Sequence, residues 1–195
     1  MIAPLMHGTE VIRYQERDGY QAVELEYRGC DVTMLAILPR ERNGLGDLER
    51  KLSAEMLRDC VSRLNRREVA IHLPRFRITW GTEDLTDPLR TLGMRLAFSA
   101  EQADFSGVNG VAQPSAEALH ASLILHKAFV EVNEEGTEAA AATAMALEVR
   151  SAAAPAPTPP PPVFRADHPF FFVIRDRVTG AILFLGRVTD PTQHD

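Results

Sequence analysis

The chain has 195 residues, long enough for a domain with a real core. Its 45% hydrophobic and 25% charged content are those of an ordinary globular protein, and a net charge of −6 argues against nucleic acid or anionic membrane as the main partner. Two cysteines are too few for a disulfide scaffold, so Cys30 and Cys60 are read as free and partly buried.

The start, Met1-Ile2-Ala3-Pro4-Leu5-Met6-His7, lacks the basic and apolar regions of a signal peptide, and no apolar run reaches transmembrane length. Val11–Tyr14 and Ala22–Tyr27 are predicted strands, joined through the turn dipeptide Asp18-Gly19. Val23, Leu25 and Tyr27 alternate with Glu24 and Glu26, which puts the glutamates on a wet face. Val32–Leu38 is nearly continuously apolar and reads as a buried strand stopped by Pro39. A short helix follows over Leu45–Leu52, and Ser53 reads as the N-cap of another. Met56, Leu57, Cys60, Val61 and Leu64 give that second helix one apolar face. The cluster Arg63-Leu64-Asn65-Arg66-Arg67 suits its end, where cations complement the helix dipole; the other reading is a polyanion site.

Val69, Ile71 and Leu73 alternate as a strand that ends at Pro74. Asp87-Pro88 starts a short helix through Leu92, closed by Gly93. Leu119–Asn133 is the longest strand candidate. Ala153–Pro162 carries six prolines in ten residues and favours polyproline II. Phe170–Ile174 and Ile182–Val188 then form a predicted buried hairpin around Asp176–Gly180.

Enzyme chemistry finds no support. There is no HExxH, no Cys-x-x-Cys, no GxSxG and no phosphate-binding glycine pattern, so no catalytic residue, metal or cofactor is assigned. His120 and His126 share strand parity, but six residues of strand would separate them by about 20 Å, too far to share a metal.

The most informative stretch is Glu134-Glu135-Gly136-Thr137-Glu138, followed by Ala139-Ala140-Ala141-Ala142-Thr143. Gly136 offers a backbone joint. Beyond it Thr137, Ala139, Ala141, Thr143, Met145, Leu147 and Val149 fall on one side, while Glu138 and Glu148 fall on the other. That period-two pattern suits a segment able to enter a sheet as a strand. Read alone, the run also suits a solvated linker or an alanine-rich helix.

These residues resemble the hinge and reactive-centre loop of the serpins, a family of mostly inhibitory proteins that trap serine proteases. The family pattern, Glu-x-Gly-Thr, an acidic or variable residue, then small residues and a Thr, is matched from Glu134 to Thr143. In the family the cleaved bond usually follows the residue fourteen positions past the hinge glycine, which here is Arg150, followed by Ser151. Arg150 is also the only basic residue between Gly136 and Arg165. Phe164–Ile174 is similar to the family's C-terminal signature, and Leu73-Pro74-Arg75-Phe76 and Ala103–Gly107 to further segments. His126–Val132 resembles the central-sheet strand beside the family's insertion gap.

The resemblance implies an α+β fold of mixed, mostly antiparallel sheets with a few short helices and an exposed reactive-centre loop. Residues 1–195 would be the C-terminal half of a single serpin domain, with hinge and loop at 133–162. Met1–Met6 resembles a mid-domain position, so the fold is expected to be incomplete at its N-terminal side, with a missing N-terminal half as a possible partner. The implied function is inhibition of a trypsin-like serine protease that takes Arg150 as bait. The segment from Thr137 would then insert as a strand, and Met145, Leu147 and Val149 belong to the bait loop. His126 is expected to make a buried hydrogen bond near the sheet opening. The alternatives are a non-inhibitory carrier or chaperone, a fragment that is only cleaved, and a module whose Pro159–Pro162 run binds an SH3-like groove. One departure from the family is the long Ala/Pro tract between Ser151 and Pro169-Phe170.

Overall fold

The computed structural model describes residues 4–17, 19–133 and 159–192. In chain order the elements are β1 (Leu5–Arg17), β2 (Tyr20–Glu26), β3 (Val32–Pro39), α1 (Leu45–Lys51), α2 (Ala54–Ser62), β4 (Asn65–Pro74), β5 (Phe76–Asp84), α3 (Thr86–Thr91), α4 (Ser106–Asn109), β6 (Leu125–Val132), β7 (Val163–Arg165), β8 (Phe170–Asp176) and β9 (Ile182–Val188). The chain divides into two compact units: one runs to Arg77 and resumes at Glu131, and the other is Ile78–Val130.

The first unit is a seven-stranded sheet in the order β7-β4-β1-β2-β3-β8-β9. All neighbours are antiparallel except β4 and β7, which are parallel. β1 far exceeds the predicted Val11–Tyr14 because it pairs twice, with β4 over Leu5–Tyr14 and with β2 over Arg13–Arg17. Its polar stretch His7-Gly8-Thr9-Glu10 gave no strand pattern, yet the β4 ladder holds it extended. The hairpin to β2 forms as expected, with Gly19 at φ 96°, a conformation glycine tolerates best; Asp18 lies outside the described residues.

Ser53 caps α2 as its sequence suggests, its hydroxyl accepting from the Met56 N–H at 3.1 Å. On the sheet face beneath the helices, Ala22, Leu35, Ile37, Phe171 and Val173 cluster with Leu45, Leu48, Leu57, Cys60 and Leu64. On the opposite face Phe170 and Phe172 meet Phe76, with ring centroids 6.0 and 5.4 Å apart. Both faces of β3 and β8 are therefore covered, which explains their unbroken apolar runs.

Several expectations need correction. Glu24 is not on a wet face: it is 1% exposed, because it shares the helix-covered face with Ala22 and Leu35. The basic cluster is a helix end only at Arg63, the C-cap of α2. α2 stops at Ser62, and Arg66 and Arg67 already belong to β4, which starts pairing with β1 at Asn65. There Arg66 reaches Glu26 and Arg67 lies over the Tyr14 ring. The β8–β9 hairpin forms, with Gly180 at φ 77° and Asp176 accepting from the Thr179 N–H at 2.6 Å, but only β8 is buried. Ile182, Leu183, Phe184 and Leu185 on β9, the last strand of the sheet, are exposed. The two thiols also differ: Cys60 is fully buried, whereas Cys30 is exposed in a turn at φ 60°.

In the second unit β5 and β6 form a two-stranded ribbon. Asp84 accepts from the Thr86 N–H at 2.8 Å at the start of α3, and Gly93 follows Leu92 at φ 105° as expected. The predicted strand over Leu119–Asn133 shrinks to Leu125–Val132. The backbone before it is engaged elsewhere: the Leu85 N–H donates to Ile124 O, and the Ala121 N–H donates to Ala97 O. His120 accordingly lies outside any strand.

Candidate functional site

The two points at which the chain enters and leaves residues 134–158 are well fixed, and both belong to the sheet-bearing unit. On entry, β6 ends with Val132 buried. Glu131, Val132 and Asn133 close over Leu25, Tyr27 and Met34 around a cavity of about 10 Å³, the space of a single water.

On return, the Pro162 carbonyl accepts from the Ala70 N–H at 2.9 Å, and β7 pairs parallel with β4 through Val163, Phe164 and Arg165. Phe164 is fully buried and the Ala166 N–H donates to the His72 carbonyl at 2.8 Å. Three residues of parallel strand are short, but the apolar plug and the flanking bonds fix their register.

Beyond β7, Asp167 is the centre of a charge cluster. Arg42 reaches its Oδ1 at 3.3 Å and its carbonyl at 3.0 Å, and Arg165 reaches Oδ2 at 3.3 Å. His168 places Nδ1 2.9 Å from Asp167 Oδ1 and Nε2 2.7 Å from the Pro39 carbonyl. The hydrogen bond from His168, with help from Arg42 and Arg165, holds the Asp167 carboxyl below the usual carboxylate range. The cluster therefore pins the chain after β7 to the end of β3. Sequence reasoning missed it; the signal was the Asp-His pair just before the apolar run of β8.

The hinge residues Glu134, Glu135, Gly136, Thr137, Glu138, Ala139, Ala140, Ala141, Ala142 and Thr143 lie outside the described residues. So do Met145, Leu147, Val149, Arg150 and Ser151. His126 is described, and the expectation of a buried hydrogen bond is corrected: on the ribbon it is exposed, with its ring centroid 5.6 Å from that of Trp80. Among the described residues no three or more His, Cys, Asp or Glu are gathered as a metal site.

A family model described as Serpin (serine protease inhibitor) matches residues 2–191. The chain belongs to the serpin family. This serpin is 44% identical over 173 residues to Serpin B3 of Homo sapiens, an alignment that covers 88% of the chain and 41% of that relative. It is 41% identical over 191 residues to a serpin-like protein of Thermococcus kodakarensis, covering 98% of the chain and 42% of that protein. Against Antithrombin-III of Homo sapiens it is 36% identical over 190 residues, covering 97% and 39%. Among solved structures, a thyroxine-binding globulin complex with thyroxine superposes with a TM-score of 0.72 at 29% identity, covering 98% of this chain and 47% of that one. Uncleaved ovalbumin gives the same TM-score and identity, with 97% and 44% covered. The chain thus has the α+β serpin fold of its resemblance while spanning about two fifths of the length of these curated relatives. Its family is one of protease inhibitors rather than catalysts.

Proposed function

We propose that residues 1–195 are the bait-bearing, C-terminal half of a single serpin domain, with hinge and loop at 133–162, acting in inhibition of a trypsin-like serine protease. The observation that supports this most is the double anchorage: Val132 and Phe164, on either side of the segment that carries Arg150, are both buried in one unit. A trypsin-like pocket, with its acid, takes the Arg150 guanidinium. The protease serine attacks the Arg150 carbonyl carbon, Ser151 leaves as a free amine, and an acyl-enzyme forms. The freed segment from Thr137 then adds to a sheet as a strand, and its uncharged inward face, Thr137 through Val149, meets no desolvation barrier. Distortion of the tethered protease stalls deacylation. His126, on β6, stands near the sheet opening in this scheme.

Trapping needs insertion to outrun deacylation, driven by a strained closed sheet. Among the described residues β6 has only β5 beside it, so the 195-residue chain by itself is expected to be cut and turned over. Incubation with trypsin, followed by denaturing electrophoresis and mass spectrometry, tests this. The expected result is one early cut after Arg150 that Arg150→Ala abolishes, without a stable adduct. A first cut elsewhere in the loop would remove Arg150 as bait, and a stable adduct would show that the chain is self-sufficient.

A further inference from the structure

We propose that His7 and His72 form a two-ligand site for a divalent transition-metal ion such as Zn²⁺. The two residues are directly opposite in the β1–β4 ladder, so their side chains leave the same face of the sheet. Their rings stack with centroids 6.4 Å apart and planes 21° from parallel. With metal–nitrogen distances of about 2.0–2.1 Å, two imidazoles on one ion hold their centroids roughly 5–6 Å apart, close to the spacing of this pair. Both rings line a cavity of about 760 Å³, which leaves room for the ion and its remaining water ligands. Imidazole is a ligand that suits zinc, copper and nickel. Among the described residues nothing gathers a third protein ligand there, so solvent completes the coordination.

The chelate would fasten β1 to β4 at the position where His72 also pairs with Arg165 of β7. The ion would sit one strand away from the peptide that leaves the bait loop. The inference is independent of the inhibitor reading, since it rests on the β1–β4 ladder, the ring geometry and the cavity.

The test uses the full 195-residue chain without a histidine tag, titrated with ZnCl₂ against a chromophoric chelator. The chain is expected to take up one equivalent. His7→Ala and His72→Ala should each weaken that binding roughly tenfold or more, as loss of a ligand requires, while His126→Ala leaves it unchanged. Circular dichroism checks that the variants are folded. As a second measurement on the unaltered chain, trace Cu²⁺ should broaden the ring proton signals of His7 and His72 before those of the other histidines. Failure to take up zinc, binding unchanged in both variants, or broadening that begins at another histidine would each overturn the assignment.

Discussion

Arg13 Nη1 lies 2.6 Å from Glu24 Oε2, joining directly opposite residues of β1 and β2 across a carboxylate that has no solvent exposure. Arg175 Nε reaches the other oxygen at 3.3 Å from β8, and the Thr33 hydroxyl donates to it at 3.1 Å from β3. Arg13 also donates to the Val61 carbonyl at 3.2 Å, which carries the network into α2. A buried charge is tolerable only when it is paired and hydrogen-bonded in this way.

Replacing Glu24 by Ala leaves Arg13 and Arg175, both largely shielded, without their anion. The expected loss is about 2–4 kcal/mol of folding stability, toward the lower part of the range for broken buried pairs because the arginines keep some solvent contact. Urea denaturation reads it as a lowered midpoint. A midpoint equal to that of the unaltered chain would mean that the arginines find other partners and that the network is dispensable.

Gly186 on β9 faces Phe172 of β8, and a Cβ there would stand 2.6 and 2.7 Å from two carbons of the Phe172 ring. That ring is buried and packed on Phe76, so it has little room to retreat. Gly186→Ala is expected to cost about 1–3 kcal/mol by overpacking. Thermal unfolding of the variant measures it, and an unchanged melting temperature would show that β9 shifts outward freely.

Burial pushes the Cys60 thiol up from its ordinary value of 9.0 to about 11. Because the folded value is the higher one, this stabilising contribution is complete below about pH 9 and is lost as the pH rises toward 11. Its full size is on the order of 2–3 kcal/mol. Stability measured from pH 8 to 11 should fall in the native chain and fall less in Cys60→Ala. At pH 8 a thiol reagent should titrate exposed Cys30 quickly and Cys60 only on unfolding. Equal reactivity of both thiols would contradict the burial.

On the proposed inhibitory reading, Thr137→Arg in a form of the protein that traps protease would require an unpaired charge to enter the sheet, at a cost of several kcal/mol. Cleavage after Arg150 should keep its rate while the trapped adduct gives way to turnover. Kinetics of adduct formation on denaturing gels decide the matter, and undiminished trapping would exclude strand insertion as the mechanism.

What the sequence could carry was local. The apolar runs of β3 and β8, the Ser53 cap, and the turn glycines Gly19, Gly93 and Gly180 each owe their structure to neighbouring residues, and they could be read directly. The lower half of β1 could not be read, because His7, Gly8, Thr9 and Glu10 are held extended by β4 rather than by their own preference. Glu24 misled because its two arginines lie 11 positions before and 151 positions after it, and only the fold brings the charges together. Leu119–Ile124 misled in the opposite sense: apolar enough for a strand, its backbone groups are taken by Leu85, Thr86 and Ala97. The proposed hinge and bait rest on a motif, a matter of family pattern, while the Asp167 cluster that fixes the chain from β7 onward needed the geometry.

β8 occupies an interior place in the sheet, with β3 on one side and β9 on the other. A single proteolytic nick anywhere in 134–158 would therefore change the molecularity of the protein before it changed its shape. The residues beyond the nick become a separate peptide that supplies β7, β8 and β9, and its departure would strip Phe164, Phe170, Phe171 and Phe172 from the core. The nicked species is a heterodimer of fragments and should migrate as one particle until denatured. Its melting temperature should acquire a concentration dependence that the intact chain lacks. Refolding should likewise turn from a first-order into a second-order process, since the covalent connection that kept the strands at high effective concentration is gone.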